Sequence, residues 1–268
     1  MSASLPSGKT QFLSTYWLID AGGLTDDERR AIDALELGYW VYGQGGLPEA
    51  KHLGPVLLQD TPQVAEVARH VLQDLDRCWA VARWHSAADW RALTQHAHHL
   101  KHLKTADQQR FFMRFADSRC WLALWPVLTT RQQVQCMGVL ASWVCHGRDG
   151  QTITLSHPNE PKWMSSLPLV LTDPQLVSLL DACWPDQLLA DTLAQHPDLA
   201  AERSGAQRHA VAVKVCQWLR AHQEDRYPVE KAIMWHALRH ARPEWTDAQW
   251  QTHLRAAHQG VTEVPHAS

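Results

Sequence analysis

Arg114, Asp117 and Arg119 lie within six residues of one another in the stretch FFMRFADSR, residues 111–119. Two guanidinium groups and a carboxylate this close can clamp a ligand, form part of a catalytic cluster, or pair with one another. Beside an apolar segment a charge is costly unless it is paired. The local pattern favours pairing. Residues 111–115 read as the end of a strand, and Asp117 or Ser118 as the cap of a helix. A carboxylate there accepts backbone N–H bonds and suits the helix dipole. Arg114 then projects from a strand and Arg119 lies just inside the helix. Either can form a fork with Asp117, or with Asp20 at another strand end, that lysine cannot reproduce. Asp20 can also be read as catalytic by its place at a strand end, or more plainly as the cap of the turn that follows. The competing reading of the cluster is that Arg114 or Arg119 touches a partner directly.

Other residue groupings carry less. Gly43-Gln44-Gly45-Gly46 follows a strand, but Leu47-Pro48-Glu49-Ala50-Lys51 comes next and no GK[ST] follows, so a glycine-rich turn is favoured over a phosphate loop. His96, His98, His99 and His102 are good metal-ligand types. No Cys, Asp or Glu nearby completes a recognisable ligand set, and the group straddles a helix end that favours His⁺ anyway. His236 and His240 have the spacing of a zinc-protease helix, yet Ala237 stands where the glutamate base belongs. There is no GxSxG elbow, and no cysteine in a nucleophile context. No catalytic group, cofactor site or metal site is assigned, and the chain is read as non-enzymatic. Two alternatives stay open: an α/β enzyme with a site assembled from distant residues, and a His-rich metal-binding regulator.

The elements that must position these residues alternate in the first half. Residues 16–20 read as a buried strand, and Thr25 caps a helix over 26–37 with acids in its first turn. Residues 39–42 and 55–59 are strand-like. Thr61-Pro62 opens a helix in which Val64, Val67, Ala68, Val71, Leu72 and Leu75 follow helical spacing. A strand over 78–84, a helix from Ser86 to about His98, and strands over 100–103 and 110–115 come next. A helix from near Ser118 to Trp125 is stopped by Pro126. Segments 138–146 and 151–157 flank the hairpin turn Gly147-Arg148-Asp149-Gly150. Beyond a Pro-, Ser- and Asn-rich connector, strand patterns vanish. Thr172, Asp173 and Pro174 start a helix, and others fit 203–222, 228–241 and 246–258, with Pro243 separating the last two and Thr246 as a cap. The expected architecture is an α/β N-terminal lobe, a mixed sheet flanked by helices, followed by a smaller all-α C-terminal lobe. In segments, 1–15 is a flexible N-terminus, 16–157 the α/β domain, 158–168 the connector, 169–258 the helical lobe and 259–268 a flexible tail.

A hydrophobic fraction of 45% and a charged fraction of 20% are those of a globular chain. Net charge is −3 without a Lys/Arg-rich block, which argues against nucleic acid. No apolar run approaches the ~20 residues of a membrane span, so no membrane partner is expected. The polar opening MSASLPSGKTQ lacks an apolar core and is not read as a secretory signal. The six cysteines form no CxxC pair, and most lie in apolar segments, which suits free thiols in a reducing cytoplasm. Fourteen tryptophans against four phenylalanines point to a Trp-rich core, with some Trp at a partner surface.

The order of motifs resembles a known family. A YWLID strand comes first, then YWVYG, then Leu53-Gly54-Pro55-Val56-Leu57-Leu58, then a Trp-containing strand, and finally RFADSR. This looks like the bacterial domain-of-unknown-function 4123 family, the effector adaptors, or chaperones, of type VI secretion systems. That family's hallmark reads roughly Arg-Phe-Tyr-Asp-Pro-Arg. Arg114, Phe115, Asp117 and Arg119 match it, while Ala116 and Ser118 replace its aromatic residue and its proline. Gly54-Pro55 matches the family's Gly/Ala-Pro step. The resemblance spans roughly residues 16–130. It implies a non-enzymatic, cytoplasmic bacterial protein that binds a toxic effector and helps load it onto the secretion spike, the VgrG trimer with or without its PAAR tip.

Overall fold

The structure, a computed structural model, describes residues 13–43, 48–157, 168–242 and 245–263. The chain divides into two compact units, Met1–Gln175 and Leu176–Ser268.

The first unit is built on β1 (Ser14–Asp20), α1 (Asp26–Ala34), β2 (Gly38–Trp40), β3 (Pro55–Gln59), α2 (Pro62–Gln73), β4 (Val81–Ser86) and α3 (Trp90–Leu100). It continues with β5 (His102–Thr105), β6 (Arg110–Phe112), α4 (Ser118–Leu124), α5 (Thr130–Met137), β7 (Ser142–His146), β8 (Thr152–Ser156) and β9 (Leu169–Leu171). Six strands form one antiparallel sheet in the order β2-β3-β1-β4-β7-β8. A small sheet, β6-β5-β9, has mixed pairing, with β6 antiparallel and β9 parallel to β5.

β1 is apolar without alternation because both of its faces are covered. On one side Trp17 and Ile19 pack with Val64, Ala68 and Val71, the residues of α2 at helical spacing. A second, aromatic cluster includes Trp84, Trp121, Trp143 and Phe115, all fully buried. Trp121 stacks on Trp143 at 4.4 Å between centroids, and Phe115 lies 6.1 Å from Trp84. Among the described tryptophans none is fully exposed.

From Asp173 onward the chain is all helix: α6 (Asp173–Gln195), α7 (Gly205–Ala221), α8 (Tyr227–His240) and α9 (Asp247–Glu263). The second unit has its own core, with Leu188, Val215, Trp218, Ile233, Met234 and Leu254 at its centre. The expected α/β lobe followed by an all-helical region is therefore the observed architecture.

Several details differ from expectation. The strand placed over 110–115 stops at Phe112: Met113 N makes one last in-register bond to Lys101 O, and the tight Phe115 N to Met113 O bond then turns the chain away from β5. Residues 78–80 form a 3-10 turn ahead of β4. The helix expected from Ser86 starts at Trp90, capped by Asp89. The segment from 138 is preceded by a helix the sequence reading missed, α5, whose Thr129–Gln132 capping box is a legible signal. Strand patterns do not vanish after the connector, since Leu169–Leu171 pairs with β5. α9 runs on to Glu263, through the start of the expected flexible tail. The glycine loop at 44–46, most of the connector (158–167) and Pro243 lie outside the described residues.

Candidate functional site

β1 ends at Asp20 because a 3-10 turn, Ala21–Gly23, follows it. The Asp20 carboxylate caps that turn by accepting Gly22 N–H at 2.9 Å. The turn is tied to the Gly-Pro step, with Ala21 N donating to Gly54 O at 3.1 Å and Val41 N to Pro55 O at 2.9 Å. Pro55 opens β3 opposite Asp20, a strand-start position where a missing N–H is tolerated. Gly54 is required by contact: a Cβ there would come within 2.2 Å of the Tyr42 ring. Tyr42 in turn donates its hydroxyl to Met113 O at 2.9 Å, the residue before Arg114. Burial holds the Tyr42 phenol protonated, well above its ordinary range.

Arg114 lies in the turn after β6, not on a strand as the sequence suggested. Its Nη2 donates to Asp20 Oδ1 at 2.9 Å and its Nε to Oδ2 at 3.3 Å, while Nη2 is 3.6 Å from Asp117 Oδ2. Asp117 caps α4 and accepts from Arg119 three times, from N at 3.0 Å, Nε at 3.0 Å and Nη2 at 2.8 Å. The Arg119 guanidinium then lies 3.5 Å from the centroid of Trp79. Ser118, the other candidate cap, is buried and donates its hydroxyl to His146 O.

The result is an alternating ladder: Asp20, Arg114, Asp117, Arg119, and an aromatic end on Trp79. Its carboxylates are buried, at 0% and 1% side-chain exposure, whereas Arg114 and Arg119 retain 41% and 30%. Burial pushes the Asp20 pKa upward against the opposing pull of Arg114. Burial also works against the Arg114 cation, but the fields of Asp20 and Asp117 outweigh it and hold its pKa above the ordinary value. Each carboxylate is engaged by an arginine fork and a backbone N–H. The arrangement suits a clamp joining the end of β1 to the start of α4, and the outer flanks of the two arginines are its accessible part.

The six motif residues, Gly54, Pro55, Arg114, Phe115, Asp117 and Arg119, thus meet around one junction, with Phe115 anchored in the aromatic cluster. Sequence reasoning missed Tyr42 and Trp79, and no local signal points to either. It also did not extend the Thr25 cap to the hub on Glu28, which accepts from Thr25 N and from Arg77, each at 2.7 Å. There the Thr25-x-x-Glu28 capping box was legible.

The histidines do not converge. His96 is buried, donates Nε2–H to Cys136 O at 3.0 Å, and has its pKa depressed to about 4 by burial. Its ring lies against Gly138, whose φ of +51° suits glycine and whose Cβ would stand 2.5 Å from the ring. His98 is exposed, and the His102 ring meets Phe112 at 4.7 Å. The His236 and His240 rings are 5.9 Å apart. Among the described residues no group of three or more His, Cys, Asp or Glu side chains is placed to hold a metal ion. None of the six cysteines is in a disulfide; four are buried and Cys120 is exposed.

Residues 15–135 match the family described as Domain of unknown function (DUF4123). The match supports that domain for this part of the chain, from β1 into α5, and includes all six motif residues. No curated protein and no solved structure matches the chain. Among the described residues no helix is long and apolar enough to cross a membrane.

Proposed function

We propose that this chain is a non-enzymatic adaptor of the bacterial cytoplasm. It binds a cognate toxic effector of a type VI secretion system and helps load it onto the VgrG/PAAR spike. The observation that carries this reading is the family match over 15–135, with the hallmark arginines and aspartate meeting in one ladder. The ladder favours a scaffold over a reaction centre, because both carboxylates are buried and held by arginine. The family match ends before the helical region, so we assign effector choice to the helices and the common frame to the first unit.

Co-expression with each polypeptide encoded beside this chain, followed by gel filtration, tests the reading. One of them should co-elute as a stable complex. If the chain elutes alone in every case, the adaptor role fails. A substrate turnover found in a screen of the purified chain would replace it with the enzyme alternative.

A further inference from the structure

The six-stranded sheet ends on β8, Thr152-Ile153-Thr154-Leu155-Ser156. Among the described residues this strand pairs only with β7. Natural edge strands are commonly blunted by a lysine, a proline or a bulge. β8 carries no charge and no proline, and its register with β7 is unbroken over five residue pairs. Its first three residues are β-branched, which suits an extended strand.

The direction of its free backbone groups follows from its bonds to β7. Gly147 N donates to Gln151 O at 2.8 Å, and His157 N donates to Ala141 O at 3.1 Å. In an antiparallel pair the N–H and C=O of one residue point the same way, and those of its neighbours point the opposite way. Gln151, Ile153, Leu155 and His157 therefore face β7. Thr152, Thr154 and Ser156 direct their N–H and C=O groups outward.

The side chains of β8 read hydroxyl, aliphatic, hydroxyl, aliphatic, hydroxyl from either end. An antiparallel copy centred on Thr154 sets Thr154 against itself and Thr152 against Ser156 of the second copy. Those are the residues with outward backbone groups. Three such pairs exchanging two bonds each give about six inter-chain hydrogen bonds. Ile153 then faces Leu155 of the second copy, and hydroxyl meets hydroxyl, both favourable cross-strand pairs with no like charges opposed. A second copy centred on Thr154 therefore meets each side chain of β8 with one of its own kind.

We propose that two copies of this chain pair through β8 about a two-fold axis, merging their six-stranded sheets into one continuous sheet. The interface is isologous and closed, so it stops at a dimer.

Sedimentation velocity on the full chain over roughly 1–100 µM, the range where a weak-to-moderate dimer dissociates, is the test. The parent should reach twice the chain mass. Thr154→Lys and Thr154→Glu each place like charges face to face, and each should be monomeric and melt like the parent at concentrations where it has dissociated, since Thr154 is exposed. Mixing the two variants should restore a dimer, because lysine now faces glutamate; this readout reports association and not folding. A parent that stays monomeric, a dimer that Thr154→Lys leaves intact, or Lys and Glu variants that fail to combine would each overturn the proposal.

Discussion

Asp117 and Glu224 are held by the same local device. Each accepts the backbone N–H, the Nε–H and the Nη2–H of an arginine two residues later, Arg119 in one case and Arg226 in the other. Both carboxylates are nearly buried, at 1% and 6% exposure. The difference lies in the second partner. Asp117 has Arg114, whose charge is permanent and which carries the linkage on to Asp20. Glu224 has His258, at 2.9 Å, which ties it to α9. Arg119 is also covered by Trp79, whereas Arg226 remains 59% exposed. One motif thus serves inside the first unit as a link passed on to a second acid, and inside the second as a tie to α9. The second partner decides which.

Asp117→Ala should show the largest effect. It removes the α4 cap and leaves Arg114 and Arg119 without their shared acid, a loss of about 3 kcal/mol. That corresponds to roughly 5–10 °C in Tm for a chain of this size. A parent-like melt with partner binding lost would instead assign the arginines to direct contact. Arg114→Lys keeps the charge but loses the fork on Asp20, and should cost about 1–2 kcal/mol, read in the same melt.

His96 supplies a buried titratable group that donates to a neutral carbonyl, Cys136 O. Its folded pKa, about 4, is below the ordinary value of 6.5, so between these pH values the unfolded chain binds the proton and the folded chain does not. Stability should be unaffected by this group above pH 6.5 and should fall as pH drops from there toward 4. His96→Gln should flatten that part of a plot of Tm against pH; an unchanged slope would assign the acid sensitivity to other groups.

Glu224→Gln should be the mildest change at neutral pH, on the order of 1 kcal/mol or less, because its arginine is largely hydrated. The hydrogen bonds from Arg226 and His258 hold the Glu224 pKa at about 2, below its ordinary 4.5. Its contribution is therefore complete above pH 4.5 and is lost as pH falls toward 2. Parent and variant melts should converge over that acid range, while Asp117→Ala should already differ strongly at pH 7.

Local chemistry made much of the fold legible. Thr25, Thr61 and Thr246 act at the helix starts where their sequence context places them, and β3 has the bounds its apolar run suggests. Boundaries failed where a distant segment intervened. Met113 looks like strand and its amide still bonds Lys101 O in register with β5, but the chain turns away there through the tight Phe115 N to Met113 O bond. Leu169–Leu171 is too short to declare itself, and is a strand only because β5 offers it an edge. The charged junction was half legible: Asp117 as a cap and the fork on Asp20 follow from residue types, while Tyr42 beneath Gly54 and Trp79 beneath Arg119 arise from packing that no spacing encodes.

The Asp20–Arg114 bond also sets a clock during synthesis. Its two residues are 94 positions apart. At ribosomal rates of about 5–20 residues per second, Asp20 waits roughly 5–20 s for its counter-ion to be made. For roughly the first two-thirds of that interval β1 also lacks β4, which ends at Ser86, and its apolar face is open to the wrong neighbours. A chain stalled before residue 114 would carry an uncompensated acid at the end of its central strand. The ladder therefore closes late, as a seal on a domain whose sheet has already begun to assemble.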